Sequence, residues 1–274
     1  MTVLTNINFE NLIKKLGVKK DSIVYITGNL GMLGFPELLS GEKIKNKEKI
    51  LEFYMKSILN VIGEKGTLVF PTHTFDLVKS DKVFDPTQTP TNYTLSEYLR
   101  NNLPARRQFH PFASLAAYGR YADEIISKNI TRNPYGPYSP YEFLRNNNCK
   151  LLSLGLPARK TISAVHYCEF LVGVPYRYIK SFNQKVNING EVKIEEFFLY
   201  VCYENIKIER DRNKKIFSSE KIKENLKRGK IGNSYLETLN LDKFINETID
   251  IMLNDPYIWT RSIEKINDYS PWEK

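Results

Sequence analysis

The chain is 274 residues long, 42% hydrophobic and 26% charged, which excludes a disordered polymer and allows a sizeable buried core. Its three cysteines, Cys149, Cys168 and Cys202, lie far apart without C-x-x-C spacing, which excludes a disulfide framework and a structural zinc site. The net charge of +9 is concentrated in residues 207–230, where ten Lys or Arg meet four Asp or Glu; with Phe217 the sole aromatic there, the stretch reads as solvated surface and not as a nucleic-acid site.

The first twenty residues place Phe9, Leu12, Ile13 and Leu16 among polar positions, the spacing of an amphipathic surface helix and not of a signal peptide. Residues 22–26 form a β-branched run with strand character that opens into Thr27-Gly-Asn-Leu-Gly-Met-Leu-Gly34. Apolar residues recur at helical spacing over 46–62, Gly63 closes that helix, and 66–71 reads as a buried strand. Strand, helix, strand is the unit of a parallel α/β sheet. Residues 76–93, rich in Asp, Pro, Thr and Gln, predict a long loop. Helices follow over 94–100, 121–128 and 141–146, with buried strands at 114–118 and 150–155. Thr161 or Ser163 is placed to cap a helix running through Leu171. From residue 180 the pattern alternates around Asn189-Gly190, a hairpin signal; 197–203 supplies a third antiparallel strand, and a last helix spans 241–253. The longest apolar run, 197–203, is too short to cross a membrane as a helix, so a cytoplasmic protein without membrane partners is expected.

Chemistry is concentrated near three histidines, His73, His110 and His166. Glu169 follows His166 by three residues and shares its helix face, which suits a general base whose ring is oriented by a carboxylate. No H-E-x-x-H pattern or third ligand accompanies it, so no metal is expected. His110 lies in a rigid segment with Arg106, Arg107 and Ser114, and His73 sits at a strand end between Thr72 and Thr74; each can serve packing or a ligand. Gly28, Gly31 and Gly34 are spaced G-x-x-G-x-x-G after a strand, where backbone amides can approach a ligand, but no G-K-[ST] follows to indicate an ATPase.

In order, the chain offers a strand with a Gly turn, G-T-L-V-F-P-T, F-D-P-x-x-T-P, R-x-x-x-H-P-x-x-S-x-A-A-x-G, S-P, L-L-x-L-G and H-x-x-E. This series resembles the aminoglycoside 3-N-acetyltransferase family from about residue 21 to residue 178, with a looser match around Gly229-Lys-Ile-Gly-Asn233. The resemblance implies one acyltransferase domain over 1–274 with a three-layer αβα sheet, a catalytic core to about residue 180 and an antiparallel β extension with helices after it. It implies a coenzyme A-dependent N-acyltransferase in which an amine attacks an acyl-CoA directly, with His166 as base and Glu169 as its orienting partner. Contacts to coenzyme A would fall on Thr27, Gly28, Asn29, Leu30 and Gly31 and on His110 and Ser114; the turn amides of 28–30 or the Ser114 hydroxyl would meet the oxyanion. The family's H-S-S-L is replaced here by Thr27-Gly28-Asn29-Leu30, which bears on donor contacts and on the acyl group accepted.

The acceptor is expected from charge. Aminoglycosides are polycations and favour an acidic site, whereas this chain is basic, as suits a diphosphate. The expectation is therefore a nucleotide-linked amino deoxysugar, such as a dTDP-linked 3-amino sugar for surface polysaccharide. An aminoglycoside acetyltransferase conferring resistance and a non-catalytic coenzyme A-binding relative are the alternatives. Pairing across the antiparallel strands would build a homodimer.

Overall fold

The computed structural model describes residues 2–126, 132–209 and 211–260. Helix α1 (Asn6–Lys15) precedes β1 (Ile23–Gly28), a 3-10 turn at Leu30–Leu33, α2 (Lys47–Ile62) and β2 (Thr67–Pro71). Then come α3 (Thr94–Asn102), β3 (Arg106–Arg107), β4 (Leu115–Gly119), α4 (Ala122–Ile126), α5 (Pro140–Asn146) and β5 (Lys150–Leu154). After α6 (Ala158–Thr161) and α7 (Val165–Val172) the chain forms a hairpin of β6 (Arg177–Ile188) and β7 (Glu191–Cys202). It ends with α8 (Asn213–Ile216), α9 (Glu220–Asn225), β8 (Lys227–Ile231), β9 (Ser234–Asn240) and α10 (Leu241–Asn254). The end of the helix expected over 121–128 lies outside the described residues.

Seven strands form one mixed sheet in the order β3-β4-β2-β1-β5-β9-β8. Only its centre is parallel: β1 pairs in parallel with β2 and with β5, while the outer pairs are antiparallel. Alternation along each strand builds two cores. Val24, Ile26, Leu68, Phe70, Leu152 and Leu154 face Phe9 and Ile13 of α1, Tyr54 and Ile58 of α2 and Leu99 of α3. Tyr25, Val69 and Leu151 point the other way, toward Tyr141 and Leu144 of α5, Cys168 of α7 and Phe244 and Ile245 of α10. Each such buried side chain stabilises by about 1.5–3 kcal/mol, which makes the strand register strongly specified. The result is the expected three-layer α/β arrangement.

The hairpin differs from expectation. Phe197 to Cys202 is not a separate third strand but the second half of β7, paired residue for residue with β6 from Arg177↔Cys202 to Ile188↔Glu191. Nothing between Glu191 and Cys202 breaks the backbone, so both strands run for 12 residues. Asn189 and Gly190 make the turn with φ of +53° and +90°, the left-handed values an Asn-Gly pair accepts. The hairpin packs Val186, Phe197 and Leu199 on Leu77, Phe84, Phe112 and Ala113. It thereby anchors the 76–93 loop, where Phe84 exchanges backbone hydrogen bonds with Lys185 and Asn187, each 2.8 Å.

Residues 227–230, the end of the stretch read from the sequence as charged surface, lie in β8, which pairs with β9 in the main sheet. The β8–β9 turn abuts the glycine turn after β1: the Asn233 amide donates to the Leu33 carbonyl at 2.9 Å, and the Ser234 hydroxyl to the Gly155 carbonyl at 2.9 Å.

Candidate active site

Three parallel strand ends, β2, β1 and β5, open on a cavity of about 810 Å³. Strand carboxyl ends are where open α/β sheets place their ligands. The lining includes the turn residues 27–31, the lysines Lys45, Lys47 and Lys160, apolar Phe35, Ile50, Leu51, Leu154 and Leu156, and two histidines, His73 and His166. It includes no Asp or Glu among the described residues.

His166 reaches the cavity because Gly155, at φ +74°, turns the chain out of β5 and α7 carries it in its first turn. That helix does not begin as predicted. Thr161 ends α6, and neither it nor Ser163 caps α7, whose N-cap is Ala164 without a side-chain bond. The Ser163 hydroxyl is engaged instead by the phenols of Tyr25 at 2.6 Å and Tyr141 at 2.7 Å. Thr161 bonds the hydroxyls of Thr27 and Ser153, each at 2.9 Å. These hydroxyl clusters tie the floor of the cavity to β1 and β5.

The structure brings His166 and Glu169 together, with Nδ1 at 2.6 Å from Oε2. A carboxylate can only accept, so Nδ1 carries the proton and Nε2 keeps its lone pair. Glu169 is fully buried, and its other oxygen accepts from the Tyr176 hydroxyl at 2.9 Å and the Arg177 Nε at 2.6 Å. Burial alone would raise its pKa, but the hydrogen bonds and charges of His166 and Arg177 outweigh burial and hold it below the usual carboxylate range. Arg177 is itself held by the Tyr200 carbonyl at 2.9 Å. Glu169 raises the proton affinity of the His166 ring, yet the net shift is downward, because burial opposes the charged ring more than Glu169 favours it. Arg177 and Arg212 push the same way. The ring is 22% exposed, contacts Tyr135 and Trp259, and has its Nε2 at 3.4 Å from the Arg212 guanidinium, which lies over the Trp259 ring.

Around the glycine turn, Gly28 has φ +121°, and a Cβ there would overlap the backbone of Leu154. The Asn29 amide donates to the Leu154 carbonyl at 2.8 Å, and the Asn29 side chain accepts from the Gly31 amide at 3.0 Å. Asn29 thus caps the short 3-10 turn. The Leu30 amide is committed to no acceptor among the described residues, which leaves it available to the cavity.

His110 and Ser114 are not brought to this cavity; both are fully buried behind it. His110 Nδ1 accepts from the amides of Phe112 (3.3 Å) and Ala113 (3.2 Å), so its Nε2 donates to the Phe198 carbonyl at 3.2 Å. Burial pushes its pKa down to about 4. The Ser114 hydroxyl donates to the Thr72 carbonyl at 2.9 Å and receives Arg107 Nε at 3.2 Å. Their short polar segment packs against the hairpin, a tertiary contact that spacing does not encode. Sequence reading passed over Tyr176, Arg177 and Arg212. The signal for the first two is Gly173-Val-Pro-Tyr-Arg177, a left-handed helix stop that returns an arginine to the acidic residue of the preceding helix. Arg212 had no local signal.

A family model described as aminoglycoside 3-N-acetyltransferase matches residues 40–253. The chain is 28% identical over 154 residues to aminoglycoside N(3)-acetyltransferase IX of Micromonospora chalcea, covering 49% of this chain and 54% of that protein. The alignments thus span about half the length of such curated relatives. Among solved structures, AAC-IIIb in a binary complex with CoASH superposes with a TM-score of 0.76 at 18% identity, covering 92% of this chain and 97% of that one. Sisomicin-bound AAC-VIa superposes with a TM-score of 0.77 at 17% identity, covering 92% and 99%.

The family and its relatives overturn the expectation of a nucleotide-linked amino-sugar acceptor and favour the aminoglycoside alternative. Charge misled on the acceptor because basic residues at the site suit the phosphates of coenzyme A, the donor, as well as those of a nucleotide. Within residues 207–230, Lys221 pairs with Glu247, Lys223 with Glu220 and Arg228 with Glu237, and none of the three cavity lysines belongs to that stretch.

Proposed function

Because the chain belongs to the aminoglycoside 3-N-acetyltransferase family, we propose that it transfers an acetyl group from acetyl-CoA to an amine of an aminoglycoside. The observation that carries this reading is the His166–Glu169 pair, 2.6 Å apart, opening on a cavity that holds three lysines and, among the described residues, no carboxylate. That lining suits an elongated, anionic thioester: Lys45, Lys47 and Lys160 for phosphates, and Ile50, Leu51 and Leu154 for the chain between. When bound, acetyl-CoA supplies an acyl carbon activated by a thiol leaving group.

The chain's own residues supply the rest. Nε2 of His166 takes the proton that the amine loses, and the ionised Glu169 stabilises the imidazolium that forms. Tyr176 and Arg177 keep Glu169 in place and charged. The Leu30 amide meets negative charge as it develops on the acyl oxygen. The amine nitrogen bonds to the acyl carbon, the carbon–sulfur bond breaks, and His166 returns the proton to the departing sulfur. Arg212 stands where the amine must arrive at Nε2, so the acceptor displaces it. Acetylation removes a positive charge from the antibiotic, which is the basis of a resistance role. No helix among the described residues is long and apolar enough to cross a membrane, and sparse unpaired cysteines suit a reducing compartment; we place the reaction in the cytoplasm.

The test is release of free coenzyme A thiol from acetyl-CoA across a panel of kanamycin, gentamicin and sisomicin. Turnover with at least one is expected, with a loss of about 10²–10⁴-fold in His166→Ala that leaves coenzyme A binding intact. Silence across the panel while acetyl-CoA binds would rule out this acceptor class. A His166→Ala enzyme with a substantial share of wild-type kcat would remove His166 from the base role.

A further inference from the structure

Arg212 touches the working atom of the base. With Glu169 holding the proton on Nδ1, Nε2 of His166 is an acceptor with a single lone pair, and Nη2 of Arg212 donates to it at 3.4 Å. No carboxylate among the described residues pairs with this arginine; its guanidinium lies over the Trp259 ring, 5.1 Å from the centroid. Arg159 nearby does have such a partner, Asp211. A partly buried cation is ordinarily paired, so an unpaired one aimed at a catalytic lone pair calls for a reason.

The backbone on either side of Arg212 is fixed. It precedes α8, whose Asn213 side chain donates to the Arg159 carbonyl at 2.7 Å and whose Ile216 is fully buried. A few residues earlier the Glu209 amide donates to the Trp259 carbonyl at 2.8 Å, and Ile208 pairs with Thr260. Guanidinium and indole are thereby presented to His166 together, with Trp259 standing edge-on to the imidazole at 6.4 Å between centroids.

A base beside a thioester serves water as well as an amine, and water wastes the donor. Its oxygen would bond to the acyl carbon, Nε2 would take one of its protons, the carbon–sulfur bond would break, and that proton would pass to the departing sulfur. Free coenzyme A and acetic acid would result. An acceptor with several ammonium groups brings a cation to the Trp259 face and an N–H to Nε2, so it replaces both contacts that Arg212 gives up. Water brings a hydrogen bond and no charge. At 3.4 Å the arginine contact is long enough to yield to the first.

We propose that Arg212 selects amine over water: it occupies Nε2 of His166 until the acceptor arrives and so withholds the base from hydrolysis of acetyl-CoA. The inference rests on the acyl-CoA donor and the His166 base of the reading above, and not on which amine accepts.

The test is release of coenzyme A thiol from acetyl-CoA by the whole protein without acceptor. Slow release is expected in the wild type and a rise of about ten- to hundredfold in Arg212→Ala, the worth of one charged hydrogen bond to the lone pair. Arg212→Met keeps an apolar stem for Trp259 but has no N–H, and should show the same rise. Adding His166→Ala to either variant should abolish it, and millimolar guanidinium ion should suppress it in Arg212→Ala while leaving the wild type unchanged. Hydrolysis at the wild-type rate in both variants overturns the proposal. So does a rise that survives His166→Ala or ignores guanidinium, or one confined to the Ala variant, each of which marks loosened packing. Failure of the aminoglycoside reading is seen separately, as silence on every antibiotic while the acceptor-free rates still differ; no binding of acetyl-CoA by the wild type would remove both.

Discussion

Burial and Glu169 pull the proton affinity of His166 in opposite directions, and burial is the stronger. A general base works only in its neutral form, so kcat/KM holds above the lowered pKa of the ring and is lost as pH falls through it. The acid limb therefore lies below the ordinary histidine value of about 6.5. Glu169→Gln removes the anion but leaves Arg177 and Arg212 facing the ring, so the pKa drops further and the limb moves to lower pH. The plateau falls by about ten- to hundredfold, because the imidazolium has lost its counter-charge, a smaller loss than in His166→Ala. A pH–rate profile checks both. A limb that stays in place, or moves up, would mean that Glu169 orients the ring without acting through its charge.

Among elements, the turn after β1 is the tightest part of the site, and its glycine is set by contact as well as by φ. Gly28→Ala drives a Cβ into the carbonyl and amide of Leu154, whereas Gly190→Ala at the hairpin tip meets nothing and carries only the left-handed backbone cost. Urea unfolding should show a loss of at least about 2 kcal/mol for the first and about 1 kcal/mol for the second. Equal losses would mean that the β1 turn yields where the structure shows it wedged. The same contrast explains what the sequence could reveal. Helix α2 was legible because Leu51, Tyr54, Ile58, Val61 and Ile62 repeat at helical spacing and Gly63 ends them; the hairpin was legible because Asn189-Gly190 is a local signal. Strand β8 was not, since Lys-Arg-Gly-Lys reads as surface until β9 pairs with it beside β5. The His166–Glu169 pair was legible as an i,i+3 spacing, while the Arg177 behind it needed the helix stop at Gly173. His73 and His110 read alike in sequence, each able to serve packing or a ligand. Only packing separates them, one in the cavity wall and one under the hairpin.

For the molecule as a whole, all three histidines are held neutral by burial, and this couples folding to pH. In the unfolded chain each binds a proton near pH 6.5, whereas in the folded chain His110 does so near 4, His73 near 3 and His166 below its ordinary value. Between about pH 6.5 and pH 4.5 the unfolded state therefore holds up to three more protons, and stability falls as pH falls, by about 1.4 kcal/mol per pH unit for each proton. Buried or paired carboxylates such as Glu169 and Glu97 have lowered values, so their contribution is lost only at more acid pH, below about 4.5, and leaves this window to the histidines. His110→Asn offers an oxygen to the amides of Phe112 and Ala113 but cannot titrate. Urea unfolding between about pH 7 and pH 5 should then show stability falling toward acid pH in the wild type, with a slope shallower by about 1.4 kcal/mol per pH unit at the acid end in the variant. An unchanged slope would mean that His110 takes up its proton equally in the folded chain, which the three ring hydrogen bonds, two accepted at Nδ1 and one donated from Nε2, do not permit without breaking the contact between the 109–113 segment and β7.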